Sequence, residues 1–149
     1  MANRSVKQRY FIKASPSKVF TALTEPRVLK KWFLASARFS LRKGGNYTFN
    51  WGGEMSQSGK VISYVRDKSL SLFWPQVQRG KPLGITRATF KLKPKDGGTL
   101  LDVNHTGFGT GTLWNENRAA VCSGWAYFLV NLKSVLQYGR DLRSPLDVF

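Results

Sequence analysis

Val121, Trp125, Phe128, Leu129, Leu132, Val135 and Leu136 recur at i, i+4, i+7 and i+8 intervals. No other feature of the 149-residue sequence restricts the fold so strongly. This spacing lays one apolar stripe along about seven helical turns, roughly residues 115–140. Gly139 and the following Arg140-Asp141 mark its end, and Pro145 blocks any extension. A stripe of that length needs an apolar surface of matching length, and the preceding residues must supply it.

Those residues change period from 3.6 to 2. Residues 5–13 put Val6, Tyr10 and Ile12 on one parity and Lys7, Arg9 and Lys13 on the other, the pattern of a half-buried strand. Ser15-Pro16 is a helix start, with Ser as N-cap and Pro in the first helical position. Val19, Phe20 and Leu23 follow at helical spacing. Thr24-Glu25-Pro26 divides this helix from a second short one that turns Leu29, Trp32 and Phe33 inward. From Ser36 the alternation returns: Phe39 and Leu41, then Tyr47, Phe49 and Trp51, then Val61–Val65, Leu70–Pro75, Ile85–Lys93 and Thr99–Phe108. Gly52-Gly53 and Lys95–Gly98 are tight-turn signals, and residues 76–84, with Gly80, Pro82 and Gly84, read as a loop. Seven strands are expected, one before the short helices and six after, in an antiparallel meander. The fold class is therefore α+β: a curved seven-stranded antiparallel sheet gripping one long C-terminal helix, as a single domain over 1–149.

The order of elements and several local motifs resemble the helix-grip fold of the START/SRPBCC (Bet-v-like) superfamily. Within it the chain is similar to proteins related to the C-terminal domain of the activator of heat-shock protein 90 ATPase. The residues carrying the resemblance are Ala14–Pro26 with Leu29 and Trp32, Gly59-Lys60-Val61, Leu70–Trp74, Gly98-Thr99, Asn104–Phe108, and Gly124-Trp125 with Leu129, Leu132 and Lys133. The resemblance implies an internal apolar pocket. It does not imply one activity, since a fold of this kind hosts carriers, receptors and cyclases. The chain lacks the separate N-terminal domain of the co-chaperones, which ranks a chaperone-activating role below ligand binding, and a co-chaperone-like protein-interaction module is kept as an alternative.

The large inward aromatics name the expected pocket walls: Trp32, Phe49, Trp51, Trp74, Trp125, Phe128 and Leu129, with hydroxyls from Tyr47 and Tyr64. His105 is the single histidine, and its parity turns it inward as a polar group of the pocket. Residues 107–117, rich in Gly and Thr, read as a lid. The preferred ligand is then a small apolar or aromatic molecule. One His and one Cys make no metal site of recognisable spacing, and no cofactor motif is present. No carboxylate pair suggests acid–base chemistry, so a binding protein is expected, with a cyclase- or hydratase-like enzyme using His105 as the alternative. Cys122 reads as a small core residue.

Twenty-four Lys and Arg stand against eight Asp and Glu, a formal charge of +16. Parity turns Lys7, Arg9, Arg38, Arg42, Arg87, Lys91 and Lys93 away from the helix, giving a basic outer sheet face. An acidic protein partner suits such a face. A nucleic-acid partner would suit it by charge, but no nucleic-acid motif is present and only Phe11 interleaves the bases. The apolar tail 146–149 suggests a homodimer contact. No stretch approaches membrane-spanning length, no secretory signal is visible, and the lone cysteine fits a cytoplasmic location.

Overall fold

The computed structural model describes residues 4–147. Its elements are β1 (Arg4–Ile12), α1 (Pro16–Thr24), α2 (Pro26–Trp32), β2 (Ser36–Phe39), β3 (Asn46–Gly52), β4 (Met55–Val65), β5 (Ser69–Gln78), β6 (Lys81–Lys95), β7 (Gly98–Phe108) and α3 (Thr112–Tyr138). The strands form one antiparallel sheet in the order β1-β7-β6-β5-β4-β3-β2. Only β1 is placed out of sequence, pairing with β7 in the register Val6↔His105 and Ile12↔Thr99. The seven-stranded helix-grip architecture expected from the sequence is the one observed.

Local chemistry explains the joints. The Ser15 hydroxyl accepts from the Lys18 amide at 3.2 Å, capping α1, and Pro16 and Pro26 open the two short helices. The indole of Trp32, fully buried at the end of α2, donates to the Ala22 carbonyl at 2.8 Å and so fixes the angle between α1 and α2. At the start of β7, the Thr99 hydroxyl donates to the Ala14 carbonyl at 2.7 Å. A Cβ on Gly98 would stand 2.5 Å from the Ile12 carbonyl oxygen, so only glycine lets β7 pass this close. Gly59 has the same role on β4: a Cβ there would meet the Tyr47 hydroxyl at 2.6 Å and the Phe73 carbonyl at 2.5 Å.

The inner parity of the sheet, the inward faces of α1 and α2, and Trp125, Phe128, Leu129 and Leu132 of α3 make one continuous core. Removing a Trp or Phe from such a core costs about 3–5 kcal/mol. α3 has no side-chain cap at its N-terminus and ends on Gly139 in the left-handed conformation.

Several expectations need correction. Residues 76–84 form no open loop: β5 and β6 run on as a hairpin to a two-residue turn at Arg79-Gly80, both with positive φ. β4 begins at Met55, because Ser56 and Ser58 pair across to β3 although they carry no apolar signal. The expected lid 107–117 is mostly regular structure. It ends β7 and begins α3, and Trp114 packs edge-on to Phe108 and over Gly109. Arg42 lies in the turn before β3, not on a strand. Cys122 is exposed, its carbonyl accepting from Gln8 at 2.9 Å. By length and composition alone α3 is long and apolar enough to cross a membrane, with a mean hydropathy of 1.3 over 18 residues. Here the same helix delivers Trp125, Leu129 and Leu132 to the core.

Candidate functional site

Two spaces adjoin the inner aromatics, and their sizes differ greatly. The first, between Leu23, Trp32, Phe49, Leu72, Trp74 and Phe90, holds only about 10 Å³, no more than one water needs. The second is an open cleft of about 620 Å³, within the range of small-molecule sites. Its walls are Phe33 from the end of α2, Trp51 and Met55 from the β3–β4 hairpin, Trp74 from β5, and Val121, Gly124, Trp125, Tyr127 and Phe128 from α3. Arg143, Ser144, Pro145 and Asp147, which follow α3, close one side.

Of the expected wall residues, Trp51, Trp74, Trp125 and Phe128 line this cleft. Trp32, Tyr47, Phe49, Tyr64, His105 and Leu129 do not. Aromatic packing accounts for the difference. Phe33 stacks on Trp32 at 4.8 Å and meets Phe49, Trp51, Trp125 and Phe128 within 5.8 Å, plugging the space beneath it. Phe49 and Tyr47 are closed over by Trp74, each at 5.9 Å. The Tyr47 hydroxyl is occupied too, donating to the Phe73 carbonyl at 2.5 Å, and burial drives its pKa up. Tyr64 packs near Phe20 on the far side of the sheet's inner surface. Phe33 is inward by helical spacing but is not among the expected walls, and Met55, Tyr127 and the residues after Gly139 carry no periodic signal, because a cleft wall assembled from a helix end, a hairpin tip and a returning segment has none. Gly124 was the one available signal, a glycine set inside a long helix.

His105 is fully buried and its hydrogen bonds define its state. The Trp125 indole N–H donates to Nδ1 at 3.0 Å. Nε2 lies 2.6 Å from the Thr86 hydroxyl, which itself donates to the Trp74 carbonyl at 2.7 Å. Thr86 has thus used its proton, so Nε2 carries the hydrogen and the ring is the neutral Nε2–H tautomer. Burial lowers its pKa to about 3. The ring does not reach the cleft; it orients Trp74 and Trp125, which do. Gln76 and Asn117 continue this polar chain, joined at 2.9 Å.

The segment after α3 is held by specific bonds. Asn131 donates to the Trp32 carbonyl at 2.8 Å and to the Asp141 carboxylate at 2.9 Å, and accepts from the Leu142 amide at 2.6 Å. The Arg143 guanidinium donates to the Lys30 carbonyl at 2.9 Å and the Asp141 carboxylate at 2.8 Å, which lowers the Asp141 pKa to about 2. The Tyr127 hydroxyl meets the Asp147 carboxylate at 2.5 Å. On the cleft wall, the half-buried Trp51 is different: its indole N–H has no hydrogen-bond partner among the described residues. Of the expected tail contact, Val148 and Phe149 lie outside the described residues; Leu146 is exposed. Among the described residues, no group of three His, Cys, Asp or Glu comes together.

The basic residues stand as parity requires. Lys7, Arg9, Arg38, Arg87, Lys91 and Lys93 are exposed on the outer sheet face, joined by Lys60 of β4.

Comparison with known proteins places these features in a wider set. A family model described as Activator of Hsp90 ATPase homolog 1-like protein matches residues 13–137. No curated protein matches the sequence. Among solved structures, the Aha1 dimer from Colwellia psychrerythraea is 26% identical with a TM-score of 0.78, covering 92% of this chain and 98% of the other. A protein from Mesorhizobium loti is 25% identical with a TM-score of 0.76, covering 89% and 96%. CalU16 from Micromonospora echinospora is 26% identical with a TM-score of 0.71, covering 92% and 78%.

Proposed function

The chain belongs to the Activator of Hsp90 ATPase homolog 1-like family, and from that premise we propose that it binds a small apolar or aromatic molecule in the cleft beside α3. The observation behind this reading is the cleft itself: about 620 Å³ walled by Phe33, Trp51, Trp74, Trp125 and Phe128. Flat apolar ligands gain from such walls by desolvation and by edge or offset ring contacts. The alternative of an enzyme relying on His105 draws no support, since that ring is bonded on both nitrogens and sits away from the cleft. The lone thiol of Cys122 is exposed, which fits a reducing cytoplasm.

Titration with naphthol, followed by tryptophan fluorescence, tests the reading. Saturable quenching is expected, and Gly124→Leu should weaken it at least about tenfold by filling the cleft, a loss of about 1.4 kcal/mol. Non-saturable quenching, or equal affinity in the variant, refutes it. Native mass spectrometry of freshly purified protein then identifies any retained molecule.

A second reading, a homodimer, is favoured by one specific feature. Met55, Leu142 and Leu146 are exposed at the cleft's surroundings, at 66%, 51% and 86%, and the Colwellia relative is described as a dimer. Light scattering with size exclusion at two concentrations tests it, and a monomer at both sinks it.

A further inference from the structure

The outer face of the sheet has a composition that neither the core nor the cleft explains. Bases on it are Lys7 of β1, Arg87, Lys91 and Lys93 of β6, Lys60 of β4 and Arg38 of β2, all exposed. The register sets their positions. Lys7 stands two strands from Thr89, which lies between Arg87 and Lys91, so it is about 10 Å from the β6 row. Lys91 and Lys93, two residues apart on one face, are spaced by about 7 Å. Among the described residues, the single carboxylate on this face is Asp102. It sits between Arg9 and Lys91 in the pairing, is hydrogen-bonded by Arg9 at 2.6 Å and also feels the charge of Lys91 and Lys93, so one carboxylate is shared among several bases.

A polar row crosses the face between the charges, while Val65, Phe73, Val77 and Ile85, also turned to this face, are exposed to either side of it. One row across the sheet reads Lys7, Asn104, Thr89, Ser71 and Ser63. Another runs through Asn46 and Lys60, joined at 2.9 Å. Partners of different chemistry need different surfaces. A protein partner normally finds aromatic anchors at the centre of the patch, and a membrane needs apolar side chains to insert. The row from Lys7 to Ser63 offers neither; Phe73, on the central strand β5 and 39% exposed, has the Arg87 guanidinium 6.0 Å above its ring. Single-stranded nucleic acid needs a series of ring platforms for its bases, and the row from Lys7 to Ser63 has none. Lys and Arg interspersed with Ser, Thr and Asn are the groups that contact phosphate and sugar oxygens of a duplex, whose bases are already stacked inside.

We propose that the sheet face turned away from α3 binds the phosphate backbone of a nucleic-acid duplex without reading its sequence. The site is separate from the cleft, because the side chains of each strand alternate between the two. It also gives the positive charge of this face a role that the family fold does not require.

The test is fluorescence anisotropy of a labelled 20-base-pair DNA duplex, about the length of two helical turns, against the intact protein at 50 and 200 mM salt. A protein making about five phosphate contacts loses roughly 500-fold in affinity across that range, and one making about two loses roughly 12-fold. Lys7→Gln/Lys91→Gln/Lys93→Gln should therefore fall from the first behaviour to the second. Lys18→Gln/Lys30→Gln/Lys31→Gln, which removes the same charge from α1 and α2, should keep the salt dependence of the parent. All six positions are exposed, and thermal unfolding verifies that both variants fold. No binding at 50 mM salt overturns the proposal, as do equal losses in the two variants, which would mean that overall charge alone is responsible. Phosphatidylserine vesicles or a polyglutamate peptide bound more tightly than the duplex, with the same loss in the sheet-face variant, also overturn it and reassign the face.

Discussion

Between pH 7 and 4.5 an unfolded copy of this chain takes up a proton at His105 that the folded protein refuses. In the folded state the ring is buried, its Nδ1 accepts the Trp125 N–H, and its pKa is lowered to about 3. Unfolded, the imidazole titrates near 6.5. Below 6.5 the unfolded chain therefore binds more protons, so stability is fully present above 6.5 and falls as pH drops toward 3. With those two values, the linkage removes about 2.5 kcal/mol between pH 7 and 4.5. That is a large part of the roughly 5–15 kcal/mol expected for a domain. The assignment is clean because the sequence has one histidine and carboxylates titrate mainly below this window. Urea unfolding followed by tryptophan fluorescence, at half-unit steps of pH, measures the loss. His105→Gln supplies the comparison, since its amide donates toward Thr86 and accepts from Trp125 but does not titrate. The wild-type protein should lose about 2.5 kcal/mol and the variant less than about 0.5. A wild-type loss under about 0.5 kcal/mol, or the same loss in both proteins, refutes the argument. Nitrogen NMR of the imidazole gives an independent reading: the hydrogen on Nε2 at pH 5, not on Nδ1.

Gly59→Ala should destabilise by about 1–3 kcal/mol in urea unfolding, because the new Cβ drives into the Tyr47 ring and the Phe73 carbonyl. Arg143→Ala releases the segment after α3 from the Lys30 carbonyl; naphthol affinity should fall about tenfold while global stability changes by less than about 1 kcal/mol. Cys122→Ser should leave stability within about 0.5 kcal/mol. In the native wild type, a thiol-specific reagent should titrate one cysteine promptly, as its exposure requires.

How far the sequence reveals this molecule depends on the range of the interactions involved. Val6, Tyr10 and Ile12 against Lys7 and Arg9 assign both faces of β1, because alternation is a property of neighbouring residues. The α3 stripe is legible for the same reason, and it includes Trp125, Leu129 and Leu132, all buried. Ser56, Ser58 and residues 76–84 misread because their strands are held by pairing with β3 and across the Arg79-Gly80 turn, not by alternating apolarity. For the cleft, four of the ten expected wall residues line it, and the rest fill the core. What periodicity cannot convey is that Phe33 plugs the interior, displacing the open space toward Trp51, Met55 and Asp147. His105 shows a related limit: inward parity is visible, whereas the donor that occupies Nδ1 lies 20 residues away on another element.

The missing N-cap of α3 bears on how the chain is made. Its first turns are anchored instead by distant groups: Arg79 at the β5–β6 turn grips Glu116 at 2.8 Å, and Gln76 accepts from Asn117. A helix start secured this way has little reason to form before the hairpin beneath it does. During synthesis all seven strands leave the ribosome ahead of α3, and their inner aromatics, Trp74 and Phe90 among them, face water until the last 27-residue element arrives. Translation therefore passes through a window of exposed apolar surface in which collision between nascent chains competes with completion of the fold. Like charge on the outer face opposes such encounters from the first strand onward.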